Sequence, residues 1–264
     1  MFKFKVDLIK DKNILKALIL FAIPIFISNV FQQMYNTMDT MIIGNVLGDK
    51  SLAAIGACGA VYELLIGFAL GIGNGLSIVV ARAYGSKDEK LLKKSVTGSL
   101  VIGAIVTVVI MIISALFLYP LLELLNTPAN IIKESYSYIS VITLFVGVMF
   151  AYNLFAGLLR AIGNSVMPLI FLIISSVINV VLDLIFITQF NMGIAGAAVA
   201  TVIAQGISAI LCVIYIIKKC PILIPDKECF KVEKELYKEL AGQGLSMGLM
   251  LCIVSTGTVI LQTA

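Results

Sequence analysis

Charged residues are absent from six long stretches of the chain: 17–38, 64–81, 95–122, 135–159, 161–182 and 184–217. A helix needs about 20 apolar residues to cross the hydrocarbon core of a bilayer, so each stretch is long enough to span or nearly so. A short turn-like interruption, Gln189-Phe190-Asn191-Met192-Gly193, breaks the last region. The pattern predicts helices over 15–43, 54–82, 95–119, 131–160, 166–189 and 194–217. A seventh begins near residue 240 and runs to Ala264. The Lys-rich start followed by an apolar run resembles a secretory leader. That run is too long and lacks a small-residue cleavage site, which favours an uncleaved first helix.

Composition agrees with this pattern. Of 264 residues, 60% are hydrophobic and only 13% charged, against about 45–50% and about 25% in ordinary soluble domains. A mean hydropathy of +1.08 cannot be hidden inside a water-soluble particle of this size. The expected class is therefore an all-α polytopic membrane protein with lipid as its main partner, and no nucleic-acid partner. The chain has no His. That removes the commonest general base and a frequent metal ligand, so neither a catalytic site nor a metal site is expected, and the protein is not read as an enzyme.

Placement of the basic residues orients the spans. Seventeen of the 19 Lys and Arg fall at the N-terminus, in 82–94, at Arg160 and in 218–238; Lys50 and Lys133 alone fall in the alternate loops. The loop-by-loop alternation fits the positive-inside rule, with the N-terminus in the cytoplasm of an inner (plasma) membrane. It also predicts that Cys220 and Cys229 are shielded from external thiol reagents. Residues 218–239, polar and carrying Pro221 and Pro225, form the one plausible linker. They end in a Lys/Glu run that looks like a short amphipathic cytoplasmic helix. The organisation expected is a six-helix lobe over 1–217, a linker over 218–239 and the start of a second lobe over 240–264.

Polar groups inside the spans are few and costly, an Asp at a helix centre disfavouring insertion by about 2.5–3.5 kcal/mol. Three acids qualify: Asp39, Glu63 and Asp183. On the first helix Asn29, Gln32 or Gln33, Asn36 and Asp39 or Thr40 recur at three- and four-residue spacing, which predicts one polar face. Asn179 and Asp183 are four apart on the fifth helix, as are Thr201 and Gln205 on the sixth. At about 1.5 Å per residue, Asp39, Asp183 and Thr201 all lie roughly 6–11 Å below the same membrane face. Tyr138 shares that level, Asn179 lies one turn deeper and Asn153 nearer the middle. Glu63 sits near mid-membrane without an obvious basic partner, and serves equally well as a second coupling site or a helix–helix hydrogen bond.

The remaining signals are structural. Gly67, Gly71 and Gly75 form two GxxxG steps, and Gly196, Ala200 and Ala204 a second stripe of small residues, both suited to close helix packing. Gly71-Ile72-Gly73-Asn74-Gly75 lacks the preceding strand of a nucleotide loop. Pro24 should kink or loosen the first helix, whereas Pro168 sits in a favoured first turn. Five cysteines without paired spacing give no disulfide framework.

Three segments carry a resemblance: Asp39-Thr-Met-Ile-Ile-Gly44 through Leu52-Ala-Ala-Ile-Gly56, Gly157-Leu-Leu-Arg-Ala-Ile-Gly163 with Pro168, and Gly193-Ile-Ala-Gly-Ala-Ala-Val-Ala-Thr201. In order and placement they resemble the multidrug and toxic compound extrusion family of cation-coupled exporters. The resemblance implies twelve helices in two lobes, of which this chain covers the first lobe and the start of the seventh helix, the second lobe being the missing partner. Ser246 stands where the repeat would carry a proline. It further implies antiport of amphipathic, often cationic organic compounds against H⁺ or Na⁺, with no other cofactor. The implied coupling residues are Asp39, Tyr138, Asn153, Asn179, Asp183 and Thr201. Asn29, Gln33, Asn36, Gln205 and Glu63 are expected to line a cavity. A lipid-linked oligosaccharide flippase is the nearest rival, but it would line its cavity with Arg or Lys, and no span interior contains one. A non-transporting membrane half-protein is the rival of another class.

Overall fold

The computed structural model describes residues 14–263, and every long element among them is a helix. The basic cluster upstream of residue 14, and with it the question of a leader, lies outside the described residues. The first span is α1 (Ile14–Leu47), which runs through Pro24 without a break. The second is continuous in three parts: α2 (Asp49–Tyr62), a π-helical segment (Glu63–Gly67) and α3 (Phe68–Gly85). Then come α4 (Glu89–Leu124), α5 (Ile132–Leu144) and α6 (Val146–Ala161). The fifth and sixth spans are α7 (Val166–Leu184), extended by a π segment (Ile185–Gln189), and α8 (Gly193–Lys219). Two 3₁₀ turns lead to α9 (Lys234–Thr263).

Five of these units are long and apolar enough to cross a membrane, and α5 with α6, bent by 50° where they join, makes a sixth. The expected six spans are therefore present. The break in the fourth was not anticipated: Phe145 leaves helical geometry at φ −108° and ψ 21°. The Lys/Glu run expected as a separate short helix is instead the first turns of α9, continuous with the seventh apolar stretch.

Packing follows the residue types. α4 turns Ile105, Val108, Ile112 and Leu116 outward, an apolar face that lipid can solvate. Inside, α3 packs on α6, and α8 packs on α5, α6 and α7. Gly196, Ala200 and Ala204 of α8 are all buried, so the predicted stripe of small residues lets its neighbours approach. α9 lies along α3. A Cβ on Gly75 would stand 2.4 Å from the Gln243 carbonyl oxygen, and one on Gly71 would stand 2.7 Å from Gly248 Cα. The glycines of the two helices thus face each other with backbones in contact. All five cysteines are free thiols.

The two ends of the bundle differ in charge. At one end Arg82 pairs with Glu239 and Lys94 with Glu233, while Lys93 Nζ lies 2.7 Å from Asp226 Oδ2. These contacts tie the linker and α9 to α3 and α4. At the other end Lys50 lies 2.8 Å from Glu134. Each pair is solvent-accessible, so they set register more than stability.

Candidate functional site

A cavity of about 210 Å³ opens among α1, α2, α5, α6 and α8. Asp39 and Tyr35 reach it from one side, four residues and so one turn apart on α1. Tyr62 and Glu63 line it where α2 passes into its π segment, Tyr138 from α5, and Thr201 and Gln205 from α8. No Lys or Arg among the described residues lines it.

Behind the cavity stands α7. Ser175, Asn179 and Asp183 recur every four residues and are all buried, the last two completely. The Asp183 carboxyl lies near that of Asp39, close enough for the two acids to interact electrostatically. Tyr35 donates its hydroxyl hydrogen to Thr201 Oγ1 at 3.2 Å, and Asn179 Nδ2 donates to the same oxygen at 3.5 Å. Thr201 therefore accepts twice and keeps its own hydrogen to donate. Asp39 Oδ1, both Asp183 carboxylate oxygens, Asn179 Oδ1 and Gln205 Oε1 have no donor among the described residues. Buried polar atoms are nearly always satisfied. Asp39 and Gln205 line the cavity while Asn179 and Asp183 stand behind it, so this part of the bundle gathers acceptors suited to a proton or a small cation.

Two neighbouring buried carboxyl groups can be bridged only by a proton or a cation, because neither carboxylate has a hydrogen to give. Coulomb repulsion between two bare carboxylates in a low-dielectric surround is large.

Asp39, Asp183, Asn179, Thr201 and Tyr138 all fall in or directly behind this cavity, as do Asn36, Gln205 and Glu63. Asn153 does not join them. It donates back to the Met149 carbonyl at 2.9 Å on its own helix, so α6 satisfies its amide locally. Nor is the polar stripe of α1 one face. Asn29 and Gln33 line a separate groove of about 490 Å³ with Met34, Thr37 and Met38, while Gln32, Asn36 and Asp39 line the cavity. At 3.6 residues per turn Gln33 and Asp39 lie about 120° apart; the three- and four-residue steps drift around the helix. Asn36 stands between the two sets and donates to Gln33 Oε1 at 3.5 Å. Tyr35 and Tyr62 were not singled out from sequence, although Tyr35 lies one turn from Asp39, a spacing that could have marked it.

The MatE family model matches residues 24–185. Probable multidrug resistance protein YoeA of Bacillus subtilis (strain 168) is 32% identical over 250 residues, covering 92% of this chain and 54% of that protein. Multidrug export protein MepA of Staphylococcus aureus (strain NCTC 8325 / PS 47) is 25% identical over 251 residues, covering 94% and 55%. The chain thus spans about half the length of the curated relatives it matches. Among solved structures, MATE in complex with MaL6 aligns at a TM-score of 0.89 with 25% identity, over 100% of this chain and 58% of that one. An outward-facing multidrug resistance MATE family transporter of the MOP superfamily aligns at 0.84 with 25% identity, over 91% and 53%. Family model, relatives and folds agree, and the chain, a multi-pass membrane protein, belongs to the MatE family.

Proposed function

We propose that this chain forms the first lobe of a two-lobe antiporter that exports amphipathic organic cations in exchange for entering H⁺ or Na⁺. The observation that carries the reading is the pairing of two neighbouring buried acids, Asp39 lining the cavity and Asp183 behind it, where no basic side chain among the described residues lines the space. Loaded with one proton or one Na⁺, the pair is bridged and keeps a single negative charge. Emptied, it carries two and attracts a cationic substrate more strongly. Binding then biases a two-state bundle, since each ligand favours the state it fits better. The exposed Asn29–Met38 groove on α1 is the face on which a second lobe would close. A flippase for an anionic lipid-linked sugar would call for basic residues where this cavity has acids.

The test is a proteoliposome assay with the two-lobe protein, in which pH and Na⁺ gradients are imposed separately and ethidium movement is followed. One gradient or the other is expected to drive uphill ethidium transport. Accumulation indifferent to both gradients would reject coupling.

Orientation belongs to the same proposal: the end carrying Arg82, Lys93 and Lys94 faces the cytoplasm of the plasma membrane. Cys220 and Cys229 are poor reporters of it, being buried. Lys90 and Ala129 are exposed at opposite ends. Lys90→Cys is expected to resist an impermeant maleimide applied to intact cells, and Ala129→Cys to react. The reverse pattern would invert the topology.

A further inference from the structure

The cavity has a third acid that the buried pair does not use. Glu63 lines it together with Asp39, Tyr62 and Gln205, yet Glu63 is exposed where Asp39 is buried. It is the first residue of the π segment Glu63–Gly67. Such single-turn π insertions shift the register of the side chains around them, and are frequent at functional sites. One turn on, Gly67 leaves room for the carboxylate, because a Cβ there would meet Glu63 Oε2 at 3.0 Å. From the other side α9 brings Cys252 Sγ to 3.8 Å from the Leu64 carbonyl oxygen. Glu63 therefore stands at the mouth, where the cavity of the first six spans meets the seventh helix.

Two further atoms call for a ligand in this space. Asp39 and Gln205, 8% and 5% exposed, each line the cavity with a buried oxygen that has no donor among the described residues. Tyr62 lines the same cavity, within electrostatic range of both Glu63 and Asp39. Tyr35, Tyr62 and Tyr138 present aromatic surface beside the carboxylates, and cations are attracted to such faces.

We infer that Glu63 is a specificity-determining residue, whose carboxylate holds the cationic head of an organic substrate at the cavity mouth while the coupling ion occupies Asp39 and Asp183 behind it. This rests on the coupled-export reading and deepens it by dividing the acids between two tasks. An ionised Asp39 adds to the field at Glu63, and a proton on Asp39 removes that contribution. The substrate thus responds to the coupling ion without sharing its carboxylate. The other titratable groups facing the space, Tyr35, Tyr62, Tyr138 and Cys58, are neutral in their ordinary range near pH 7.

The experiment uses this chain in lipid nanodiscs, titrated with ethidium, a cation, and with acridone, a neutral tricyclic dye, across pH 6–8 as the chosen range. Wild type is expected to favour ethidium by at least about tenfold at pH 8, equivalent to about 1.4 kcal/mol. Glu63→Gln should bring the two dyes within about twofold of each other while leaving acridone binding unchanged, and Glu63→Asp should restore most of the preference. Asp183→Asn should keep the preference but lose the pH dependence of ethidium affinity. A Glu63→Gln chain that still prefers ethidium as wild type does overturns the inference, as does a wild type without preference. If either result comes with a pH dependence that Asp183→Asn removes, the coupling reading stands alone. If no chain shows pH dependence but Glu63→Gln loses the preference, the coupling reading fails and the role of Glu63 survives.

Discussion

Replacing Asp183 with Asn is expected to abolish ion-driven efflux by the two-lobe protein while leaving its amount in the membrane close to normal. Asp183 is completely buried, and neither of its carboxylate oxygens has a donor among the described residues. The charged group it interacts with is another acid, Asp39. Asn has nearly the same shape and removes a charge that is costly to desolvate, so packing around Asn179 and Ser175 should be undisturbed. What is lost is the empty, charged state. An amide at 183 permanently resembles the loaded site and can donate a hydrogen bond to Asp39, so neither a proton nor Na⁺ gains from binding there. Asp39→Asn should act in the same direction but less completely. Asp39 stands at the edge of the cavity, and the buried Asp183 would keep a carboxylate within reach. Glu63→Gln should leave ion coupling in place and alter only which compounds are carried. The readout is ethidium efflux from energised cells against external pH, with membrane abundance measured in parallel. Wild-type efflux and unchanged pH dependence in Asp183→Asn would make that acid structural and remove the basis of the proposed mechanism.

Much of this arrangement is legible in the residues themselves, and the reasons differ from part to part. The spans announce themselves because lipid tolerates so few charges: Arg160 and the Lys-rich 82–94 segment mark ends that the helices respect to within a few residues. The face shared by Asn179 and Asp183 follows from a four-residue step on a helix that is regular up to that point. Where helices depart from regularity, the reading fails. Nothing in Leu64–Gly67 demands a π turn by composition, and no proline marks the 50° bend at Phe145; both depend on what packs alongside. Asn153, expected nearer the middle of the membrane, instead donates to the Met149 carbonyl on its own helix, a local choice that spacing does not reveal. On α1, pattern counting could not separate Gln32 from Gln33. They point to different volumes, and only the position of α8 decides which one holds Asp39.

Substituting Gly75 with Leu is expected to separate α9 from α3, and the effect should be large because nothing flexible stands in the way to yield. The nearest atoms to an added Cβ belong to backbone, Gln243 O at 2.4 Å and Gly244 Cα at 2.7 Å, whereas real contacts of this kind lie beyond 3 Å. Gly71 repeats the geometry one turn away, against Met247 O at 2.8 Å and Gly248 Cα at 2.7 Å. Overpacking in a close-packed interior costs about 1–3 kcal/mol when neighbours can adjust. Here an entire helix must move, and lipid offers no hydrophobic penalty to hold it in place. The ion pairs Arg82–Glu239 and Lys94–Glu233 would keep the start of α9 tethered, so the helix should splay from its far half. Cys252 reports that motion, since it is half-buried against the Leu64 carbonyl in the closed seam. Its modification by a membrane-permeant maleimide should accelerate by at least about tenfold in Gly75→Leu, the change expected if the closed seam loses about 1.4 kcal/mol. Gly59→Leu, at a glycine whose added Cβ meets nothing within 4 Å, should leave the rate near that of the parent chain. Equal rates in all three chains would mean that α9 is held by its charged first turns and that the glycine contact contributes nothing to the seam.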